Sequence, residues 1–546
     1  MGIDYGKVFA CKQTPQTEAI SAGQTLNSAG GHVWPVDDWA RLERFLILGS
    51  EGGSYYVRER TLTRENAEAV ERCLLRDGAR LVGRVRAVSV AGRAPKNDPA
   101  IFALAMAAKL GDFTTRQLAL AALPAVCRTG TQLLHFAAYV RALGGWGRGT
   151  RSALQRWFND KPATALAYQL VKYPSRDGWS TRDLLRLAHP KAATAEHDML
   201  YRWVVRGELP ATVPADLALV AAFEAAKRAT DVREICRLVR AHDLPRECIP
   251  TRWLTDARVW EALVEHMPLT ALLRNLATMT RVGLLAPKGV TTRLVVDQLR
   301  DGARLQSARV HPIAILSALR TYASGHGVRG KQAWTPVAAI VDALDDAFHA
   351  AFRQVEPSGK RTLLALDVSA SMACGNIAGV PGLSPRLASA AMALVTAATE
   401  PQHTFVAFTG APQPFAANAA AVTELDLSPR WRLDQAVARV SGLPFGATDC
   451  ALPMLWARHR KIAVDTFVIY TDSETWCGPI HPAQALREYR QRMGIAAKLV
   501  VVAMVSNGFS IADPADGGML DVVGFDTATP AVIGDFSKTQ LGSELP

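Results

Sequence analysis

The chain has 546 residues, 49% of them apolar, which is too long for one hydrophobic core and predicts two to four globular domains. Its formal charge of +12 is uneven: residues 1–360 carry 49 Lys+Arg against 34 Asp+Glu, whereas residues 361–546 carry 13 against 16, so a basic part that suits an anionic partner, nucleic acid first, precedes a mildly acidic one. No apolar run reaches the roughly 18 residues that span a bilayer, Met1–Gly6 has no signal pattern, and eight scattered cysteines form no Cys-x-x-Cys pair; these exclude a membrane span and a zinc finger and lead to the expectation of a soluble, cytoplasmic protein.

Residues 1–30 read as irregular. Asp37 predicts the cap of a helix reaching Leu48, with Trp39, Leu42, Phe45 and Leu46 on one face. Thr63 to Asn66 predict the start of a helix over 67–75. From about 98 to 350 the pattern is helix after helix: near 98–110, 114–126, 131–143, 149–158, 162–173, 180–188, 196–206, 215–228, 231–241, 256–265, 268–278, 290–299, 311–324 and 335–353. Their spacing, without a clean sequence repeat, predicts an irregular solenoid. After Pro357-Ser358-Gly359 the period changes. Strand-like runs at 363–368, 404–408, 466–471, 498–505 and 520–525, with helical stretches between, predict a doubly wound parallel sheet. The expected division is 1–357 and 361–546.

Residues 128–191 concentrate positive charge: eleven Lys+Arg, including Arg128, Arg148, Arg151, Lys172, Arg176, Arg186 and Lys191, against three acids. Trp146, Trp157, Phe158, Tyr168, Tyr173 and Trp179 interleave with them. Cations beside aromatic faces suit single-stranded nucleic acid, where phosphates take the charge and bases stack. A solvated helix face over an aromatic core is the other reading, and Trp157 and Tyr168 are expected in the core under both. Gly144 to Gly149 is a glycine-rich connection suited to close approach of phosphate, or to an ordinary loop.

In the second part, the apolar run Leu363 to Leu366 ends in Asp367-Val368-Ser369-Ala370-Ser371. Ligands in open α/β sheets sit at the carboxyl ends of strands. A carboxylate and two hydroxyls at alternate positions suit a hard cation such as Mg²⁺. Thr448, in Gly446-Ala447-Thr448-Asp449, and Asp472, after the run Thr466 to Thr471, supply two further ligands from later strand ends. In this order the five residues resemble the metal-ion-dependent adhesion site of von Willebrand factor A domains. Simple capping of the next helix by Ser369 and Ser371 is the alternative.

Enzyme motifs are incomplete. Gly325 to Gln332 nearly spells a Walker A loop but has Gln332 where Ser or Thr is needed. His326, Arg329 and Lys331 of that stretch would then add to a basic surface. No Gly-x-Ser-x-Gly or His-Glu-x-x-His occurs. The expectation is a protein that is not an enzyme.

Longer stretches carry a wider resemblance: Gly30 to Trp34, Arg44 to Tyr56, Lys96 to Ala100, Arg128 to Thr131, Gly144 to Gly149, Asp177 to Ser180, Asp183 to Leu187, Met267 to Thr270 and Gly325 to Gly327. With these the chain resembles the Ro autoantigen family, a TROVE module followed by a von Willebrand factor A domain. The resemblance implies a ring of HEAT-like helical repeats closed by the A domain, and noncatalytic RNA binding by a monomer. Y RNA would bind an outer basic surface, and single-stranded 3′ ends of misfolded RNA would enter the central hole. It further implies roles in RNA quality control, rRNA maturation and RNA decay with an exoribonuclease such as polynucleotide phosphorylase. The family's RNA-contacting positions carry over to Lys172, Arg176 and His189. Thr181 stands where relatives often have His, and Ala447 replaces the usual glycine before the metal-site Thr. The alternative function is an adaptor whose A domain captures a partner carboxylate through the metal.

Overall fold

The run Thr362–Asp367 lies in the middle of a six-stranded sheet, between Thr466–Thr471 and His403–Phe408. Across the sheet the order is Met519–Val523, Lys498–Ala503, Thr466–Thr471, Thr362–Asp367, His403–Phe408 and Val422–Leu425. All neighbours are parallel except the last pair, which is antiparallel. Every residue of the three strands 362–367, 466–471 and 498–503 is buried, as strands covered on both faces require. Helices Pro385–Thr399, Leu452–Arg460 and Pro482–Met493 follow in the connections. This computed structural model describes residues 13–51, 53–308, 310–327, 332–351, 356–377, 380, 382–410, 421–428, 431–443 and 446–540.

The chain divides into two compact units. One comprises Met1–Ala69, Arg93–Pro95 and Phe352–Pro546; the other comprises Val70–Gly92 and Lys96–Ala351. The sequence reading placed the first segment with the helices, in a domain of 1–357. Instead it packs with the C-terminal sheet, for three physical reasons. His32–Pro35 pairs antiparallel with Phe509–Ser510, through Pro35 with Phe509 and Trp34 with Ser510. Val33 and Trp34 join the apolar core that holds Leu363, Phe467 and Leu499. Arg44, fully buried on helix Asp38–Leu48, donates to both carboxylate oxygens of Asp521 at 2.8 and 2.7 Å.

The second unit is helical. Its helices run Gly78–Ala91, Asp98–Leu110, Phe113–Val126, Gly130–Ala142, Arg148–Asn159, Ala163–Lys172, Thr181–Ala188 and Ala195–Arg206, and continue through Ala338–Ala350. Small polar residues start them: Asp77, Asp112, Thr129, Ser180, Thr194, Asp231 and Asp256 each accept a backbone N–H of the first turn. Thr129 with Gln132 and Ser180 with Asp183 close reciprocal boxes. The helices at 78–91 and 302–307 were not foreseen. Leu81, Val82, Val85 and Val88 do line a buried face of the first, but Gly83, Arg84 and Arg86 dilute the pattern. The helix expected from 67 begins at Glu59, and Asn66 is no cap: it is buried and donates to Ser50 and Ser506. No helix among the described residues is long and apolar enough to cross a membrane. In the near-Walker stretch, Gly327 N donates to Gln332 O at 3.0 Å; Arg329 and Lys331 lie outside the described residues.

Candidate metal centre and nucleic-acid interface

Parallel register sets the first site. Leu366 pairs with Tyr470, so Asp367 and Thr471 end adjacent strands side by side. Asp367 accepts Ser369 N at 2.9 Å on Oδ1 and the Thr471 hydroxyl at 2.7 Å on Oδ2. The Ser369 and Ser371 hydroxyls are 3.1 Å apart, and the Ser371 hydroxyl bonds the Asp472 carboxylate. Ala370 N donates to Gly446 O at 3.3 Å, which brings the Thr448 loop against the Asp367–Ser371 loop. The five residues expected to form a site are therefore buried around one set of loops, each at most 4% exposed.

The electrostatics are those of a charge-starved pocket. Burial first, then the charges of Asp367 and Glu474, push the Asp472 carboxyl up to about 8. Burial also raises Asp367, against hydrogen bonds from Ser369 and Thr471 and the charge of Arg386. Two carboxylates that burial and mutual repulsion disfavour, flanked by hydroxyls, form the donor set a hard divalent cation neutralises. Among the described residues no three His, Cys, Asp or Glu side chains are grouped to hold a metal. The donors here are mixed, as a magnesium site that keeps several waters allows.

The sequence reading missed the residues that brace this site. Glu474 accepts Ser28 N at 2.7 Å and Ala29 N at 3.2 Å, and Asn27 donates to the Ser473 and Thr475 carbonyls. Asn507 donates to Asp472 O at 2.7 Å and is itself held by Arg44 at 2.9 Å. Tyr56, half-buried, has its hydroxyl pKa raised by burial and by Asp472, Glu474 and Asp367. The pairing of Asp472 with Glu474 two residues on was the one signal in the sequence.

The second site lies in the helical unit. Lys172 ends helix Ala163–Lys172 and donates to the Tyr168 hydroxyl at 2.9 Å. Burial works against its charge, but the Tyr168 hydroxyl bond and nearby Glu247 outweigh that and its pKa is raised. Tyr168 is thus half-buried beside a cation, not a core residue as expected; Trp157 is core, at 1% exposure. A pocket of about 150 Å³ opens beside Lys172, lined also by Arg246, Glu247 and His266.

Arg176 sits on a short hairpin in which Ser175 pairs with Ser180 and Arg176 with Trp179. Its two-residue turn, Asp177-Gly178, has φ of +50° and +75°, the left-handed pair that Asp-Gly accommodates. Asp177 also pairs with His135, and Trp179 packs edge-on against Trp146 at 5.4 Å. His189 is the left-handed C-cap of Thr181–Ala188 and is exposed. Gln155 donates to Ala188 O at 2.7 Å and Asn159 to Lys191 O at 2.8 Å, so helix Arg148–Asn159 lies along the His189–Lys191 segment. Arg148, Arg151, Arg186 and Lys191 are exposed on these elements. Arg128 differs: it is half-buried and donates to Ala125 O and the Ser89 hydroxyl.

The chain is similar to known proteins over nearly its whole length. The TROVE domain model matches residues 25–213 and 237–360, and the Ro60 vWA domain model matches 361–537. The chain belongs to the Ro60 family. It is 44% identical over 530 residues to the RNA-binding protein RO60 of Deinococcus radiodurans, covering 96% of this chain and 98% of that one. To the RNA-binding protein RO60 of Caenorhabditis elegans it is 36% identical over 604 residues, covering 96% and 92%. The crystal structure of the Deinococcus radiodurans RO (RSR) protein matches with a TM-score of 0.70 at 43% identity, over 92% of this chain and 99% of that one. In this Ro60-family chain the metal-type loops fall within the vWA match, and Lys172, Arg176 and His189 fall within the first TROVE segment.

Proposed function

We propose that this chain is a noncatalytic RNA-binding protein. The observation that carries the reading is the run of basic and aromatic groups on successive elements of the helical unit: Lys172 on the Tyr168 hydroxyl, exposed Arg176 and His189, the exposed arginines of neighbouring helices, and the Trp146–Trp179 pair. Two relatives named as RNA-binding proteins support it. Guanidinium and ammonium groups would capture phosphates, and the half-buried Trp146 and Trp179 faces would take unstacked bases. The ligands we infer are Y RNA and the single-stranded 3′ ends of misfolded RNA or rRNA precursors. We place the protein, as a cytoplasmic monomer, in RNA quality control, rRNA maturation and decay beside an exoribonuclease such as polynucleotide phosphorylase.

The test is binding of a duplex with a single-stranded 3′ tail, against the same duplex blunt, over a salt series. Wild type should prefer the tailed RNA. Lys172→Ala with Arg176→Ala should weaken binding and lower the log–log salt slope by about 1 per lost phosphate contact. An unchanged slope refutes the assignment of these two residues.

A second reading rests on the buried Asp367–Asp472 pair. Asp367, Ser369, Ser371, Thr448 and Asp472 would hold Mg²⁺, which would supply a Lewis-acidic position for a partner carboxylate, and the chain would act as an adaptor. Chelation or Asp367→Ala should then abolish partner capture while RNA binding persists.

A further inference from the structure

A second concavity of the helical unit lies away from the residues discussed so far. A groove of about 720 Å³ runs between helices Val232–His242 and Ala257–Val264. Arg233, Arg237 and Arg240 line it from the first helix and Arg258 from the second, with Glu261 the one acid of the lining. Positions 233, 237 and 240 are four and three residues apart, so the three arginines share one helix face. All four are exposed.

The arginines are not equally engaged. Arg258 is fixed by Asp256, with Nε to Oδ1 at 3.0 Å and Nη2 to Oδ2 at 2.6 Å, which leaves its Nη1 outside the pair. Arg240 lies 3.6 Å from Glu265, an exposed contact of small consequence. Arg233 and Arg237 have no acid partner among the described residues. Like charges held on one face repel and stabilise nothing in the fold, while the apolar face of the same helix, Val232, Ile235, Cys236, Leu238 and Val239, already secures its packing. A charge cluster without a structural use and with a cavity in front of it is a ligand site in waiting.

We propose that this groove is a second RNA contact, in which Arg233 and Arg237 bind consecutive backbone phosphates and Arg258, held by Asp256, closes the opposite wall. Arg233 and Arg237 lie about 6 Å apart along the helix at 1.5 Å per residue, so their long side chains can reach neighbouring phosphates of one strand. The planar guanidinium suits bidentate phosphate contact. The groove offers no large aromatic surface in its lining, so it reads the backbone and not the bases. Arg233 falls in the 214–236 stretch that the TROVE model leaves unmatched. The inference rests on the RNA-binding reading above and adds a site to it.

The test uses the full chain and fluorescence anisotropy with labelled oligouridylate and with a tailed duplex, over a salt series. Arg233→Ala with Arg237→Ala should bind roughly tenfold more weakly near 0.1 M salt, with a slope lower by about 1.4 on single strands. Arg233→Lys with Arg237→Lys should keep the slope, since charge is retained. Both variants should keep the wild-type circular dichroism, because the side chains are exposed. Failure of wild type to bind RNA overturns the RNA-binding reading itself. Wild-type binding with an unchanged slope in the alanine variant overturns the groove alone. Loss of poly-glutamate binding with an unchanged RNA slope assigns the groove to an acidic polypeptide and equally overturns it.

Discussion

Asp472 shows how a single carboxyl can report on an ion. With its carboxyl pushed up to about 8, the metal-free fold holds a proton that the unfolded chain releases above about pH 4. The folded state then binds more protons across that interval, so stability falls as pH rises from about 4 through 8. In EDTA the melting temperature should drop between about pH 5 and 8. Millimolar Mg²⁺ should oppose the drop, and Asp472→Asn should flatten the EDTA profile. A flat wild-type profile in EDTA would contradict this account. Arg44 supplies the complementary case of a buried cation. Arg44→Met leaves Asp521 without its bidentate partner and should cost about 3–5 kcal/mol in denaturant unfolding, as broken buried pairs do. Asp367, Ser369, Ser371, Thr448 and Asp472 were legible in the sequence because strand period and strand-end chemistry coincide in short linear motifs. Glu474 and Asn27 were not, because their roles depend on backbone groups more than 400 residues away, nor was Asn507, which joins Asp472 O to the distant Arg44 side chain.

Among elements, the Ser175–Ser180 hairpin is the smallest to carry a proposed RNA contact. Gly178, at φ +75°, lies where a β-branched side chain meets the following carbonyl. Gly178→Val should destabilise the hairpin by about 1–2 kcal/mol. Because Arg176 is carried by that hairpin, RNA affinity should fall as well, with far-ultraviolet circular dichroism little altered. Retained affinity would show that the turn does not position Arg176. Helices with good caps and apolar faces, such as Gly130–Ala142 behind Thr129 and Gln132, were readable within a residue or two. Very short strands were not: His32–Pro35 has four residues, and its partner Phe509–Ser510 has two. Nothing local specifies such a pairing. Helix Val232–His242 was foreseen as a helix, but its arginines resembled any solvated face until the neighbouring helix supplied Arg258 and the cavity.

At the scale of the whole molecule, chemistry is divided as the charge is. The basic surface and the arginine groove belong to the helical unit, and the acidic loops belong to the unit containing the sheet. Asp367→Ala should therefore leave the salt slope of RNA binding unchanged, and a large change would show that the two are energetically coupled. The change of period near 360 was visible in the sequence, and so was the order of helices and then alternating strands. The return of the first segment to the C-terminal sheet was not, since it rests on a buried arginine, two ladder pairs, two core side chains and backbone contacts that no local pattern announces.

That return has a consequence for synthesis. Arg44 and Asp521 are 477 positions apart, so the nascent chain makes one long before the other. At 5–20 residues per second the interval is about 25–95 s. Throughout it Trp34 and Pro35 lack their ladder partners Ser510 and Phe509, and the guanidinium meant for the interior lacks its carboxylate. The helical unit, Val70–Gly92 with Lys96–Ala351, is complete on the ribosome first. A product that ends before the C-terminal sheet is made leaves its opening segment undocked, which makes that segment a ready mark of incomplete translation for a chaperone or protease.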